Sequence, residues 1–211
     1  MAKIKAVIFD LDGVLVDAKE WHYEALNRAL GLFGMEINRY DHLVTYDGLP
    51  TLKKLEMLSI EHGLPRSLHK LINDIKQQYT MGIVHAQCKA IFCQEYALSK
   101  LNQDGYKLAV CSNSIRKSIE TMLENAGIAQ YFDFYISNQD VKKPKPDSEM
   151  YIKAFKKFGL QPKECLIIED NEKGIKAALA SGAYLMKVDS VEDVNYLNIM
   201  GKIAGVEREN K

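Results

Sequence analysis

The chain has 211 residues, with 28 Lys plus Arg against 28 Asp plus Glu, a size that suits one α/β domain carrying a modest insertion at the usual ~100–150 residues per domain. Balanced charge with no long run of one sign removes the field that would draw the protein to nucleic acid or to an acidic membrane surface. No apolar stretch approaches the ~20 residues of a membrane helix, so a cytoplasmic protein that binds neither nucleic acid nor membrane is expected.

Lys3 and Lys5 precede an apolar run, as in a signal peptide, but Asp10 and Asp12 break that run and no small-residue cleavage site follows. KAVIF therefore reads as a first strand. From Asp17 to about Val84 the periodicity is helical: EWHYEALNRALGLFG, LPTLKKLEMLSIEHG and LPRSLHKLINDIKQQY each place apolar residues at i, i+3 and i+4. This stretch is far longer than one crossover helix and predicts a helical cap over residues 17–84, inserted into an α/β core made of 1–16 and 85–211. Beyond it, apolar runs (KLAVC, the weaker FDFYIS, CLIIE, AYLMKV) alternate with helix-like segments (IFCQEYALSKLNQ, SIRKSIETMLENAG, PDSEMYIKAFKKFG, NEKGIKAALASG). Several of these segments end at a glycine able to take a left-handed cap: Gly105, Gly127, Gly159 and Gly182. Near-continuous apolarity suits strands buried on both faces, and the alternation predicts a doubly wound, Rossmann-like α/β fold with a parallel sheet. SVEDVNYLNIMGKI predicts a last helix, followed by a frayed GVERENK tail.

Of the four cysteines, Cys111 and Cys165 fall in strand-like runs, where cysteine behaves as a small hydrophobe, and Cys88 and Cys93 have no Cys/His pair nearby to complete a zinc site. Reduced thiols are expected.

The chemistry gathers at strand ends. Asp10 and Asp12 follow the first strand, and alternation along extended backbone sends both carboxylates to one side. A lone D-x-D is ordinary turn chemistry, but ligands of open parallel sheets bind beyond the carboxyl ends of the strands. KLAVC ends in Ser112-Asn113-Ser114 and leads into a helix N-terminus that favours an anion; Ser114 suits the N-cap, while Ser112 sits at the strand terminus itself. CLII ends in Glu169-Asp170, an adjacent acidic pair that suggests a hard cation with oxygen ligands. In Lys143-Pro144-Lys145-Pro146-Asp147 the prolines stiffen the approach to a helix, and a rigidly held lysine suits a phosphoryl oxygen.

In this order and at roughly these separations, VIFDLDGVLVD, VCSNS, KKPKPD and LIIEDNEKGIKAALASGA resemble the four motifs of the haloacid dehalogenase superfamily, in its branch of phosphatases and phosphomutases similar to beta-phosphoglucomutase. The resemblance covers the whole core, and the helical insertion sits where that branch carries its cap. It implies a five-stranded sheet with the first strand central, Asp10 as nucleophile through an aspartyl-phosphate, and Asp12 as general acid/base. It implies Mg²⁺ held by the Asp10 side chain, the Asp12 backbone carbonyl and Asp170, with Glu169 in an outer position. Ser112 and Lys143 match the phosphoryl-binding residues, Lys143 because the family lysine directly precedes the first proline of K-P-x-P-D; Asn113 and the amide of Ser114 are helpers.

In the cap, His22 and Thr51 are candidate substrate contacts, with packing and helix capping as their plain alternatives. Trp21, Tyr46 and Tyr79 suit either a sugar-sized pocket or a helical core. A phosphatase acting on a small phosphorylated metabolite, a sugar phosphate first, and existing as a monomer or weak dimer, is the reading that results. A phosphomutase is the alternative, disfavoured because Thr51 and Met81 stand where a cationic pair is expected, although Lys53, Lys54, Arg66 or Lys76 would substitute under a shifted alignment. A non-catalytic phosphometabolite-binding protein is a further alternative, and the complete motif set argues against it. Dehalogenase activity is disfavoured because Asp12 and the acidic pair have no use there.

Overall fold

Residues 3–209 are described by the structure, a computed structural model. The chain forms two compact units, Met1–Asp17 with Lys89–Lys211, and Ala18–Cys88.

The unit Ala18–Cys88 is helical. Its main elements are α1 (Lys19–Gly31), the single turn α2 (Arg39–Asp41), α3 (Thr51–His62) and α4 (His69–Gln87), with a π turn over His42–Tyr46. The stripes read from the sequence become its interior: Leu26, Ala29 and Leu30 of α1 pack with Leu55 and Leu58 of α3 and Ile72 of α4. α4 runs eight residues past the Tyr79 at which its expected segment stops, because Ile83 and Val84 continue the buried stripe. Gly63 closes α3 in the left-handed region at φ +70°, which a side chain would strain.

The other unit carries β1 (Ala6–Phe9), β2 (Lys107–Cys111), β3 (Phe134–Ile136), β4 (Cys165–Glu169) and β5 (Tyr184–Lys187) in one parallel sheet of order β3-β2-β1-β4-β5. β1 is therefore central, with Phe9 opposite Val110 on one side and Ile168 on the other. Every residue of β1 and β4 is buried, which accounts for their unbroken apolar spelling. The helices are α5 (Phe92–Gln103), α6 (Arg116–Asn125), α7 (Glu149–Phe158), α8 (Glu172–Ser181) and α9 (Tyr196–Glu209). On one sheet face Ala6, Ile8, Ala109 and Cys111 meet Met150, Tyr151, Ala154 and Phe155 of α7 and Ala177 and Ala178 of α8. At ~25 cal/mol per Å² of apolar surface removed from water, this burial is the main force holding strand ends and helix starts in register.

The expectation of a frayed tail is corrected: α9 is helical to Glu209, and residues 210–211 lie outside the described ones. Ile199, Ile203 and Val206 form a buried stripe that carries the helix through Gly201 and Gly205. All four cysteines are reduced. No helix among the described residues is long and apolar enough to cross a membrane.

Candidate active site

The β1–β4 ladder continues one residue past β1, where the Asp10 amide donates to the Ile168 carbonyl (3.0 Å), so Asp10 leaves the sheet in fixed geometry. It is 4% exposed. The chain then turns tightly: the amides of Leu15 and Val16 both donate to the Leu11 carbonyl at 2.9 Å, and Gly13, at φ +88°, donates to Val16 at 2.7 Å. That turn leaves Asp12 half-buried. Its Oδ2 accepts from Ser114 Oγ at 2.8 Å and lies 3.5 Å from Ser112 Oγ. Ser112 Oγ in turn accepts the Ser114 amide at 3.0 Å. Ser114 is thus not the N-cap it was expected to be: Ile115 holds that position with no side-chain bond, because the Ser114 hydroxyl is turned to Asp12.

The lysine expectation is also corrected. Lys143 is exposed, and its backbone amide and that of Lys142 donate to the Glu149 carboxylate at 2.9 and 3.0 Å. Lys145 is the buried one, 3% exposed. Its Nζ donates to Asp10 Oδ1 (2.7 Å), Glu169 Oε1 (2.7 Å) and the Cys111 carbonyl (2.6 Å). An ammonium has three donors, and all three are engaged. Asn113 determines which lysine enters: its Oδ1 accepts the Lys145 amide (3.0 Å) while its Nδ2 donates to the Lys145 carbonyl (3.1 Å), clamping that residue's backbone. Burial alone would lower the Lys145 ammonium, but Asp10 and Glu169 outweigh it and hold the group above its ordinary range, fully charged.

At the end of β4, Glu169 is completely buried. Its Oε1 accepts from both Lys145 and the Tyr151 hydroxyl, while Oε2 accepts no hydrogen bond among the described residues. Asp170 Oδ1 accepts from Asn171 Nδ2 at 3.0 Å, and Asn171 Oδ1 caps α8 through the amides of Lys173 (3.1 Å) and Gly174 (3.0 Å). One carboxylate oxygen each from Asp10, Glu169 and Asp170 lie within 4.8 Å of one another. Burial and then the neighbouring Glu169 charge push the Asp10 carboxyl above the ordinary range, with Lys145 pulling against them. Glu169 is raised for the same first reason. Three crowded carboxylates and one lysine leave excess negative charge, and the donors are all hard oxygens. The set fits Mg²⁺. The Asp12 carboxylate stands apart from the set, on the two serines.

Three residues here escape a reading of the sequence. Lys145 was hidden because residues two apart on extended backbone share a side. Tyr151 was hidden because an aromatic on an amphipathic helix reads as core. Gly174 did leave a signal, a glycine inside the first turn of a helix where nothing local calls for one.

In the helical unit, His22 Nδ1 lies 3.1 Å from Lys76 Nζ. Thr51 is the first residue of α3, and Pro50 holds the N-cap without a side-chain bond, so capping does not explain the threonine. Tyr46 and Tyr79 belong to the apolar interior, Tyr46 with its hydroxyl on Glu61 (2.8 Å) and Tyr79 under the Arg28 guanidinium (4.4 Å to the ring centre). Trp21 is half-buried on α1.

A central parallel strand ending in a buried aspartate, with a lysine and an acidic pair converging from the adjacent loops, defines a hydrolase of the kind the motifs anticipated. Over residues 7–188 the chain matches the haloacid dehalogenase-like hydrolase family, and it belongs to that family. It is 27% identical to the phosphorylated carbohydrates phosphatase of Thermotoga maritima, over 98% of this chain and 95% of that one. It is 24% identical to the fructose-1-phosphate phosphatase of Escherichia coli, over 83% and 92%. Among solved structures, beta-phosphoglucomutase from Clostridium difficile superposes with a TM-score of 0.83 at 22% identity, over 97% of this chain and 99% of that one, a likeness of fold.

Proposed function

We propose that the protein is a Mg²⁺-dependent phosphatase of small phosphorylated metabolites, sugar phosphates first, working through an aspartyl-phosphate on Asp10. The observation that carries this reading is the Lys145 ammonium held at 2.7 Å from both Asp10 and Glu169, beside the carboxylate of Asp170. A buried carboxylate paired with a lysine at the carboxyl end of a central strand is suited to attack a phosphate rather than to bind one passively.

Asp10 attacks phosphorus through a carboxylate oxygen, and the ester oxygen departs with a proton from Asp12. Water then attacks the acyl phosphate, gives its proton back to Asp12, and regenerates Asp10 with release of inorganic phosphate. The hydroxyls of Ser112 and Ser114 hold the Asp12 carboxylate toward the site, which orients the group that must give and take the proton. Ser112, Asn113 and Lys145 line the approach of the phosphoryl oxygens, Asn113 through its clamp on the lysine backbone, and their partial and full positive charges favour the charge spread over those oxygens in the transition state. Mg²⁺, held by the Asp10 and Asp170 carboxylates and the Asp12 carbonyl with Glu169 behind them, would supply the charge that lets a carboxylate approach a phosphate dianion. His22 and Thr51 are proposed contacts for the part of the substrate beyond the phosphate.

The names of the two relatives support testing phosphorylated sugars first in a substrate panel. Inorganic phosphate release from such a panel is expected with Mg²⁺ and not with excess chelator, and Asp10→Asn should lower turnover by more than about 10³-fold. Activity that survives that substitution would overturn the mechanism. The mutase reading keeps one supporting observation, that Lys54 and Lys76 are buried within the helical unit. An isomerisation that depends on added sugar bisphosphate would favour it over the phosphatase.

A further inference from the structure

We infer that Tyr151 and Gly174 are positioning residues of the metal site, acting together to fix the Glu169 carboxylate with one oxygen saturated and the other kept for the cation. The inference rests on the metal reading above and deepens it.

Glu169 lies deep in the sheet, where a carboxylate free to rotate would present either oxygen. Two neighbours remove that freedom. The Tyr151 hydroxyl, completely buried on α7, donates to Oε1, the same oxygen that receives Lys145 Nζ. The tyrosine ring also lies 5.1 Å from the lysine Nζ and so packs against the ammonium. Gly174 acts through space. A Cβ built there would fall 2.0 Å from Oε2 and 2.1 Å from Cδ of Glu169, so the first turn of α8 packs onto the carboxylate only because the residue is glycine. No positive φ calls for glycine at this position, since it lies inside a regular helix, where glycine carries a conformational cost relative to alanine. Close approach to Glu169 is what that cost supports.

The outcome of the clamp is an asymmetric carboxylate. Oε1 has two donors, and Oε2 is buried without any among the described residues. An acceptor left unmade in the interior is unfavourable, and this one lies in the same carboxylate that stands with Asp10 and Asp170. The cation, with the waters it carries, is the partner that oxygen suits, which explains why two residues are used to hold the carboxylate still.

The test is calorimetric titration of the full chain with Mn²⁺ in the absence of substrate, together with thermal melts. Tyr151→Phe keeps the ring and removes only the hydroxyl; it should weaken Mn²⁺ by about 10-fold, in the range seen when a residue supporting a metal ligand is removed. Gly174→Ala should weaken it at least as much in the wild-type background and lower the melting temperature there, whereas in a Glu169→Ala background it should have no further effect on Mn²⁺ affinity and should leave the melting temperature unchanged or higher, since the atoms it displaces are then gone and alanine is the better helix former. Wild-type Mn²⁺ affinity in Tyr151→Phe, or additive effects of Gly174→Ala and Glu169→Ala, would overturn the inference. Because the readout is binding, absence of phosphate release by an enzyme that still shows these shifts would count against the phosphatase reading alone.

Discussion

Lys143 and Lys145 share a type, a flank of prolines and a side of the extended chain, yet one is solvated and the other is the centre of charge in the site. The difference comes from hydrogen bonds made by other residues: Glu149 takes the amides of Lys142 and Lys143, and Asn113 takes both backbone groups of Lys145. This predicts opposite behaviour for the two lysines. Lys145→Met removes the only cation bonded to Asp10 and Glu169 among the described residues and leaves buried charge unpaired, a change that costs on the order of 3 kcal/mol where it has been measured. It should also reduce turnover by about 10²-fold or more, as loss of a preorganised charge does. Lys143→Met should alter stability by no more than about 0.5 kcal/mol and leave turnover intact. Steady-state phosphate release and urea melts of the two variants decide the matter, and a large kinetic loss in Lys143→Met would return the role to the residue that the motif alone suggests.

The element least visible in advance is the π turn His42–Tyr46, because a wide turn has no periodicity of its own in the sequence. It buries His42 at 2% exposure, with its ring 4.7 Å from that of Tyr23 and neither ring nitrogen hydrogen-bonded among the described residues. Burial first, and Lys54 second, lower the imidazole to about 4, against smaller opposing effects of Asp47 and Glu20. Between that value and the ordinary 6.5 the unfolded chain binds a proton that the folded chain does not. Stability must therefore fall as pH drops from 6.5 toward 4 and level off below. His42→Phe keeps an aromatic ring against Tyr23 and removes both the unmade bonds and the proton linkage. The variant should be at least as stable as the parent at pH 7, with an advantage that widens by on the order of 2 kcal/mol at pH 5. Urea melts at the two pH values test this, and a constant gap would mean that the imidazole is not buried neutral.

At the scale of the whole molecule, the fold was legible to the extent that burial is written in composition. Apolar runs, unbroken in β1 and β4 and weakest in β3, marked the five strands, and stripes at helical spacing marked the main helices. What stayed hidden was whatever depends on residues far apart in the chain: β1's place at the centre of the sheet came from the motif resemblance and not from periodicity, and the reach of α9 was obscured by Gly201 and Gly205 because its buried stripe acts only through the rest of the core. The site shows the same division. Asp10, Asp12, Glu169 and Asp170 announce themselves as acids at strand ends, whereas Tyr151 and Gly174 matter only once α7 and α8 are packed. The site's oxygens are brought together by the pairing of β1 with β4, so the unfolded chain has no equivalent binding site and Mg²⁺ must stabilise the folded form selectively. At a concentration about 100 times its dissociation constant the ion should add about 2.7 kcal/mol. For a protein of this length each kcal/mol is worth roughly 2–4 °C, which places the expected rise in melting temperature at about 5–10 °C by scanning calorimetry. Asp170→Asn should abolish the rise while melting higher than the parent in chelator, because it removes one of three mutually repelling carboxylates. A parent that shows no shift with Mg²⁺, or a variant that shifts as much as the parent, would separate the acidic cluster from metal binding and leave Lys145 as the sole counterion of Asp10.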